Sequence, residues 1–243
     1  MWRASVLTLF PEMFPGPLAY SLSGKGLRNN VWSLTTVQIR DFTTDKHRSV
    51  DDTCYGPNAG MIMKADVVDS ALRYALADFA GKPHILYMSP RGVSLKQKTV
   101  HTFAQSDGII VLCGRYEGVD DRVIEYWRES HGLLEVSVGD YILSGGEIAA
   151  FALIDACVRL LPSVVGNEVS LDCETFELDL LEFPQYTKPC VWRGKSVPEI
   201  LLSGDHKRIA EWQKREAEKI TELRRPDLWE AYVSGSCGNG TKK

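Results

Sequence analysis

The fold is decided by the stretch Val138-Gly139-Asp140-Tyr141-Ile142-Leu143-Ser144-Gly145-Gly146. A run typical of a β-strand, residues 133–138, precedes it, and a nearly all-apolar run typical of a helix, residues 147–161, follows it. Ligands bind at such strand–loop–helix junctions in α/β proteins because the loop amides and the helix N-terminus carry unpaired donors. Glycine loops also form ordinary tight turns, so this stretch alone leaves a ligand site and a plain turn equally open.

Two further predicted strands end in comparable loops, which favours the ligand site. Residues 85–88 lead into Ser89-Pro90-Arg91-Gly92, and residues 109–113 lead into Gly114-Arg115-Tyr116-Glu117-Gly118. Strands and helices alternate along the chain, which predicts an α/β fold with a parallel sheet and helices on both faces. Because the carboxyl ends of parallel strands share one edge of a sheet, we expect the three loops to converge on one ligand.

Composition and charge narrow the class of protein. The chain has 243 residues, 44% apolar residues and a net charge of −4, which is ordinary for a globular protein and allows a local basic surface. Its six cysteines lack paired spacing, which favours reduced thiols in a cytoplasmic protein over disulfides or a zinc site. Asp155 and Arg159 interrupt the longest apolar run, so we expect no membrane span. Neither a dinucleotide-binding Gly-x-Gly-x-x-Gly after the first strand nor a P-loop motif occurs.

The character of the sequence changes after residue 161. Pro162 ends the preceding helix, and residues 163–187 contain no Lys or Arg. We therefore predict a first domain at 1–161, a flexible acidic linker at 162–175 and a small all-helical domain with a frayed tail at 176–243. In the last part, Asp205 is typical of a helix N-cap and Pro226 of the first turn of another helix.

Taken together, these motifs resemble those of the bacterial tRNA (guanine-N(1)-)-methyltransferases, a family of the knotted SPOUT class. The agreement runs in order from Met1 to about Ala231, so it covers nearly the whole chain. Besides loops 114–118 and 138–147, the segments that agree are Leu9-Phe10-Pro11-Glu12-Met13-Phe14, Asp45-Lys46-His47-Arg48-Ser49-Val50-Asp51-Asp52, Pro184-Gln185-Tyr186-Thr187-Lys188-Pro189, Leu202-Ser203-Gly204-Asp205-His206 and Leu223-Arg224-Arg225-Pro226.

The resemblance implies a fold that general rules treat as essentially absent. Residues 87–160 would form a deep trefoil knot that binds S-adenosylmethionine, and two copies would share each active site in a homodimer. The nearly all-apolar helix at 148–161 suits burial against such a partner. The residues that the family's pattern assigns to the cofactor are Tyr87, Met88, Ser89, Pro90, Gly114, Tyr116, Glu117, Ser137, Val138, Gly139, Asp140, Tyr141, Ile142, Leu143, Gly145 and Gly146.

The implied reaction transfers a methyl group from S-adenosylmethionine to N(1) of the guanine immediately 3′ of the tRNA anticodon. This nitrogen carries a proton, so the site needs a carboxylate base and a cation for the charge that grows on the exocyclic oxygen. The family's pattern assigns these two catalytic roles to Glu174 and Arg159. Many relatives carry Asp at the base position, and Asp172 stays open as an alternative base.

Arg159 has a second interpretation, since Asp155 precedes it by four residues and a helical ion pair is the default for that spacing. An unpaired charge facing an apolar core would be costly. We therefore expect a polar stripe of Glu147, Asp155 and Arg159 to face the site or the dimer partner.

The resemblance also implies tRNA as a partner, held by basic C-terminal helices, and a requirement for Mg²⁺. Glu117, Glu174 and Glu182 are candidate carboxylates for the metal, whose ligands stay unassigned. His47 and Asp51 match positions that the family uses around the target guanine, although capping within their loop is an equal alternative. Two other functions stay open: a SPOUT methyltransferase for another RNA position, and a catalytically silent RNA-binding relative.

Overall fold

The structure is a computed structural model that describes residues 1–57, 60–165, 176 and 180–238, with side chains through residue 235. The chain divides into two compact units, Met1–Gly166 and Asn167–Lys243. Most of the predicted linker at 162–175, including Glu174 and Asp172, lies outside the described residues.

The first unit alternates strands and helices, as predicted. Short 3-10 helices at Pro11–Met13, Gly16–Ala19 and Ile39–Phe42 supplement the regular elements. In chain order the strands and α-helices of this unit are β1 (Trp2–Thr8), α1 (Ser21–Arg28), β2 (Trp32–Gln38), β3 (Asp51–Thr53), β4 (Met61–Met63), α2 (Ala65–Ala77), β5 (His84–Ser94), α3 (Gln97–Ala104), β6 (Gly108–Cys113), α4 (Asp121–His131), β7 (Leu134–Ser137) and α5 (Gly146–Val158).

Five strands form one parallel sheet in the order β2-β1-β6-β5-β7, which confirms the predicted α/β class. The central strand β6 is buried along its whole length because helices cover both faces of the sheet. Ile109 and Val111 pack toward α3 and α5, whereas Ile110 and Leu112 pack toward α2 and α4. Each such side chain contributes about 1.5–3 kcal/mol of burial free energy, so β6 anchors the loop that follows it.

Strand β5 extends beyond the predicted end at residue 88. Both Met88 and Val93 pair with Val136 of β7, so residues 89–92 bulge out of the ladder before pairing resumes. Gly92 permits this return, since a Cβ built there would lie 2.3 Å from the backbone nitrogen of Val136. The first of the three loops is therefore a bulge within a strand and not a strand end.

Replacing Gly92 by alanine is expected to lower the free energy of unfolding by about 2–3 kcal/mol, because the backbone of β7 must move to admit the methyl group. Urea unfolding measures this. Gly235→Ala is the matched control, as a Cβ there meets nothing within 4 Å and the residue lies in a helix. Equal stability of the two variants would contradict the close approach at Gly92.

The long polar segment at 40–60 includes β3 and ends just before β4, and these two strands form a hairpin that the sequence did not indicate. Strands β3 and β4 pair antiparallel, with Asp51 opposite Met63. Three-residue strands are too short for an alternating pattern to be recognised. The hairpin also joins the loop after β6, because Met63 N–H donates to Gly118 O and Glu117 N–H donates to Met61 O, both at 3.0 Å.

The second unit contains helices α6 (Glu199–Leu202), α7 (His206–Arg224) and α8 (Pro226–Gly238). Asp205 caps α7 by accepting from Arg208 N–H at 3.1 Å, and Pro226 begins α8, which confirms both predicted starts. The prediction of an all-helical unit is wrong, because β8 (Val191–Trp192) and β9 (Lys195–Ser196) form a hairpin. Its two turn residues, Arg193 and Gly194, take the positive φ angles that tight hairpin turns require.

Three apolar residues of helix α7, Ile209, Trp212 and Ile220, are half-buried, and one, Leu223, is not. Leu223 is 81% exposed, whereas Ala217 and Thr221 are buried. The Thr221 hydroxyl donates to Ala217 O at 2.7 Å and accepts from Leu181 N–H at 2.8 Å, so a polar residue fixes this contact. Among the described residues, no helix is long and apolar enough to cross a membrane.

Candidate functional site

A cavity of about 440 Å³ opens where β5, β6 and β7 deliver their loops. All three loops singled out in the sequence line it, as the parallel-sheet argument predicted. Every residue assigned to the cofactor lines this cavity except Asp140, which is exposed beside it. Further lining residues, which were not assigned to the cofactor, are Ile62, Arg91, Arg115, Gly118, Val119, Asp121, Val136, Ser144 and Ala149.

The loop after β7 is held in shape by its own hydrogen bonds. Gly139 N–H donates to Ser137 Oγ at 3.2 Å, and the Tyr141 hydroxyl donates to Val138 O at 3.2 Å. Gly139 has φ +152°, and a Cβ there would lie 2.5 Å from the Tyr141 ring. Tyr141 and Ile142 remain 56% and 81% exposed, so the loop presents aromatic and apolar surface around a fixed backbone.

The loops after β6 and β7 are joined directly. Gly146 N–H donates to Gly114 O at 3.0 Å, although β6 and β7 lie on opposite sides of β5 in the sheet. A Cβ at Gly146 would lie 2.8 Å from the Cα of Cys113. The chain therefore returns from the sheet edge to the central strand, and α5 begins against the end of β6.

Tyr87 forms one wall of the cavity. A Cβ at Gly114 would lie 3.0 Å from its ring, so glycine leaves room for the tyrosine. Burial is the largest cause that raises the pKa of Tyr87 above its ordinary value, and the phenol stays neutral at physiological pH. The wall is thus an uncharged aromatic surface with a polar tip.

Beneath the loops lies a charge pair, Glu147 with Arg115, that was not predicted from the sequence. The Glu147 carboxylate, 1% exposed, accepts from the Thr8 hydroxyl at 2.6 Å and lies 2.9 Å from Arg115 Nε. The N–H at Nε does not point along that line, so this second contact is an ion pair and not an aligned hydrogen bond. Arg115 also donates to Ser144 O at 3.2 Å and lies over the Phe10 ring, 4.4 Å from its centroid. Arg115, in the loop after β6, therefore contacts both the segment that follows β1 and the loop that follows β7.

The expected polar stripe on α5 is therefore wrong for Glu147, whose carboxylate lies inside the first unit. The side chains at positions 147 and 155 are two turns apart, and the first is buried whereas the second is exposed. Asp155 is exposed and accepts from Ser23 Oγ at 3.0 Å. Arg159, the predicted catalytic cation, is half-buried at the C-cap of α5. A pattern of charges cannot reveal that Arg115, 32 residues away from Glu147, neutralises it.

His47 and Asp51 are not among the residues that line the cavity. His47 is exposed, and Asp51 lies in β3. Asp45 organises their loop, accepting from His47 N–H at 2.7 Å and from Ser49 N–H at 3.0 Å. The Ser49 hydrogen bond is the largest cause that holds the pKa of Asp45 below its ordinary value. Asp45 therefore caps this loop, and contact of His47 and Asp51 with the target guanine stays a prediction.

A larger groove of about 980 Å³ lies between the β3–β4 hairpin and helices α2 and α4. Its charged side chains are mostly paired with each other, as Asp69 with Arg73 and Asp120 with Arg122, both at 2.7 Å. It also lacks the glycine loops at the carboxyl ends of the strands. We therefore assign the functional site to the smaller cavity.

Metal ligands are not evident in the part of the chain that the structure describes. Within it, no group of three or more His, Cys, Asp or Glu side chains is arranged to hold a metal ion. Glu117 lines the cavity, and Glu182 lies in the second unit and accepts a hydrogen bond from Gln185. The third candidate, Glu174, is outside the described residues.

Two cysteines are expected to resist alkylation in the native protein. Burial raises the pKa of Cys157 to about 12 and that of Cys113 well above its ordinary value, which keeps both thiols protonated. The thiolate fraction at pH 8 is then about 10³-fold below that of a free cysteine. Iodoacetamide followed by peptide mass spectrometry should label Cys190 and Cys54, which are exposed and half-buried. In urea all four of these cysteines should be labelled. Equal labelling of Cys157 and Cys190 in the native protein would contradict the burial of Cys157.

Comparison with known proteins gives one consistent result. The family model described as tRNA (Guanine-1)-methyltransferase TrmD matches residues 2–231. A tRNA (guanine-N(1)-)-methyltransferase from Chelativorans sp. (strain BNC1) is 58% identical over 95% of this chain and 96% of its own length. Proteins of the same name from Rhodospirillum rubrum and Ruegeria sp. (strain TM1040) are 53% and 51% identical, each over 96% of this chain and over 94% and 93% of their own lengths.

Proposed function

The chain belongs to the tRNA (Guanine-1)-methyltransferase TrmD family, and from this premise we propose how its cavity serves the reaction. The full-length match confirms the resemblance read from the motifs. The protein is an enzyme that transfers a methyl group to N(1) of the guanine immediately 3′ of the anticodon in tRNA. The observation that carries the proposal for the site is the single cavity lined by all three glycine loops.

S-adenosylmethionine supplies the methyl group, and the residues of the cavity fit a molecule of this kind. A volume of about 440 Å³ suits one nucleoside with an amino-acid tail. Glycines at positions 114, 118, 139, 145 and 146 bring backbone to the surface, where amides and carbonyls can read a purine ring. The Tyr87 wall and the apolar side chains of Ile142 and Leu143 offer surface for the rest of the molecule.

We also propose that residues 87–160 form the trefoil knot implied by the family. Two observations support it. The chain leaves the sheet at the edge strand β7 and returns to β6, where Gly146 N–H meets Gly114 O. The bulge at 89–92 lies on β5, the strand between β6 and β7 in the sheet, at the edge across which the chain returns.

A homodimer is the proposed working form. Apolar side chains on α5 and on the neighbouring α1 segment are exposed in the single chain: Ile148 is 51%, Leu22 45% and Tyr20 73% exposed. Such a surface suits a second copy of the same helix. Sedimentation equilibrium checks this, and a monomer at micromolar concentration would refute it.

The catalytic proposal keeps the two residues assigned by the family's pattern. Glu174 takes the proton from guanine N(1) as the nitrogen attacks the methyl carbon, and the bond from that carbon to sulfur breaks. Arg159, at the end of α5, stabilises the negative charge that grows on the guanine oxygen. His47 and Asp51 contact the guanine, and the basic helices of the second unit hold the tRNA phosphates. Mg²⁺ is proposed as a requirement with unassigned ligands, and the cytoplasm as the location.

Incubating the purified full chain with S-adenosylmethionine and a tRNA transcript carrying guanine 3′ of the anticodon tests the function. We expect primer extension to stop at this guanine, because a methyl group on N(1) blocks base pairing. The same transcript with adenine at that position is the control. Methylation elsewhere would indicate another SPOUT specificity, and absence of cofactor binding by calorimetry would indicate a silent relative.

A further inference from the structure

The β8–β9 hairpin of the second unit is an exposed projection. Every residue from 185 to 196 is exposed, and Val191 and Trp192 are 57% and 59% exposed. The hairpin is nonetheless ordered by its backbone: Trp192 pairs with Lys195, and Val197 N–H donates to Cys190 O at 2.9 Å. Trp192 ends β8 directly before the turn and is more than half exposed, so packing within the chain does not account for a residue of this size.

The charge of this segment is of one sign. Residues 183–198 contain Lys188, Arg193 and Lys195 and no Asp or Glu, in a chain whose net charge is −4. On helix α7 basic residues alternate with glutamates that pair with them, as Lys219 does with Glu216 at 2.7 Å. The hairpin is therefore a purely positive part of the second unit, in contrast to the mixed surface of the helix.

The aromatic ring and the cations are arranged together. The Arg193 guanidinium lies 4.9 Å from the centroid of the Trp192 ring. An indole and a guanidinium are the two planar groups on which unpaired RNA bases stack, and lysines beside them can neutralise phosphates. A lipid surface would favour a wider apolar face, and the segment's polar residues Gln185, Thr187 and Ser196 do not supply one.

We propose that the hairpin at 191–196 binds single-stranded RNA, with Trp192 stacking on an unpaired base and Arg193 and Lys195 contacting the adjoining phosphates. This inference rests on the proposed function, which supplies tRNA as the ligand, and it assigns a stacking contact to the second unit beyond general phosphate binding. The unpaired bases of the anticodon loop are the part of the substrate that offers such a partner.

The test uses the full-length enzyme and an anticodon stem–loop RNA. Trp192→Ala is expected to weaken binding about 5- to 150-fold, the range of base–aromatic stacking. Trp192→Phe should restore most of the affinity, because its ring also stacks. Val233→Ala, at an exposed apolar position of α8, should bind like the wild type. Lys195→Ser should reduce the slope of log affinity against log salt by about 0.7.

Methylation assays separate this inference from the proposed function. We expect Trp192→Ala to raise KM for tRNA while kcat at saturating tRNA and affinity for S-adenosylmethionine stay unchanged. An unchanged KM in an active enzyme, or a Phe variant no better than Ala, overturns the stacking role. A wild-type enzyme that binds the stem–loop through Trp192 yet transfers no methyl group overturns the proposed function and leaves the hairpin contact standing.

Discussion

Replacing Glu174 by glutamine is expected to lower kcat by about 10²- to 10⁴-fold, the usual contribution of a positioned general base. Guanine N(1) carries a proton that must leave as the methyl group arrives, and an amide cannot accept it. The affinity for S-adenosylmethionine should not change, because every residue that we assign to the cofactor lies between positions 87 and 146 of the first unit. Single-turnover methylation at saturating tRNA measures the loss, and calorimetry measures cofactor binding.

Asp172→Asn is the matched control, since it removes a carboxylate from the same acidic segment. We expect less than about a threefold change in kcat, as for a carboxylate that takes no part in the chemistry. The opposite pattern, with Asp172→Asn inactive and Glu174→Gln active, would transfer the role of base to Asp172. Adding Arg159→Ala to each variant would show whether the cation acts in the same step, because effects of residues that work as a unit do not add.

Replacing Glu147 by glutamine is expected to lower the free energy of unfolding by about 3–5 kcal/mol. Glutamine keeps an oxygen for the Thr8 hydroxyl but leaves Arg115, 20% exposed, without its counter-charge. Because Arg115 also holds Ser144 O and lies against Gly145, the loop after β7 should loosen as well. Affinity for S-adenosylmethionine should therefore fall together with stability.

Urea unfolding with Asp155→Asn as control isolates the effect of burial. Asp155 lies two turns further along α5 but is exposed, so its replacement should change stability by no more than about 0.5 kcal/mol. A Glu147→Gln variant as stable as Asp155→Asn would contradict the buried pair. The double variant Glu147→Gln with Arg115→Met should recover part of the loss, since both charges are then removed.

Local signals in the sequence were sufficient for most elements. Apolar runs predicted β6 and α5, and Asp205 and Pro226 marked the starts of α7 and α8. These signals depend only on residues that are close together in the chain, so they can be recognised in a single sequence. The convergence of three loops followed from the parallel sheet, while the assignment of individual cofactor residues came from the family resemblance.

Long-range pairings could not be predicted. The shift that lets Met88 and Val93 share Val136 depends on two strands more than 40 residues apart. The ion pair of Arg115 and Glu147 likewise joins the loop after β6 to helix α5, and each residue alone resembles an ordinary surface charge. Helix α7 buries Thr221 instead of Leu223 because a side-chain hydrogen bond to Leu181 fixes the contact, which apolar spacing does not register.

The hydrogen bond from Gly146 to Gly114 also bears on the order of events during folding. The cavity walls come from chain positions between 62 and 149, and β6 is paired with β1 at the very start of the chain. Contacts of such high sequence separation make folding slow, and a nascent chain can hold cofactor only after α5 has left the ribosome. A free cofactor concentration of 100 times its Kd then stabilises the native state by about 2.7 kcal/mol. The supply of methyl donor would thereby influence how long the newly made enzyme survives proteolysis, before any tRNA is modified.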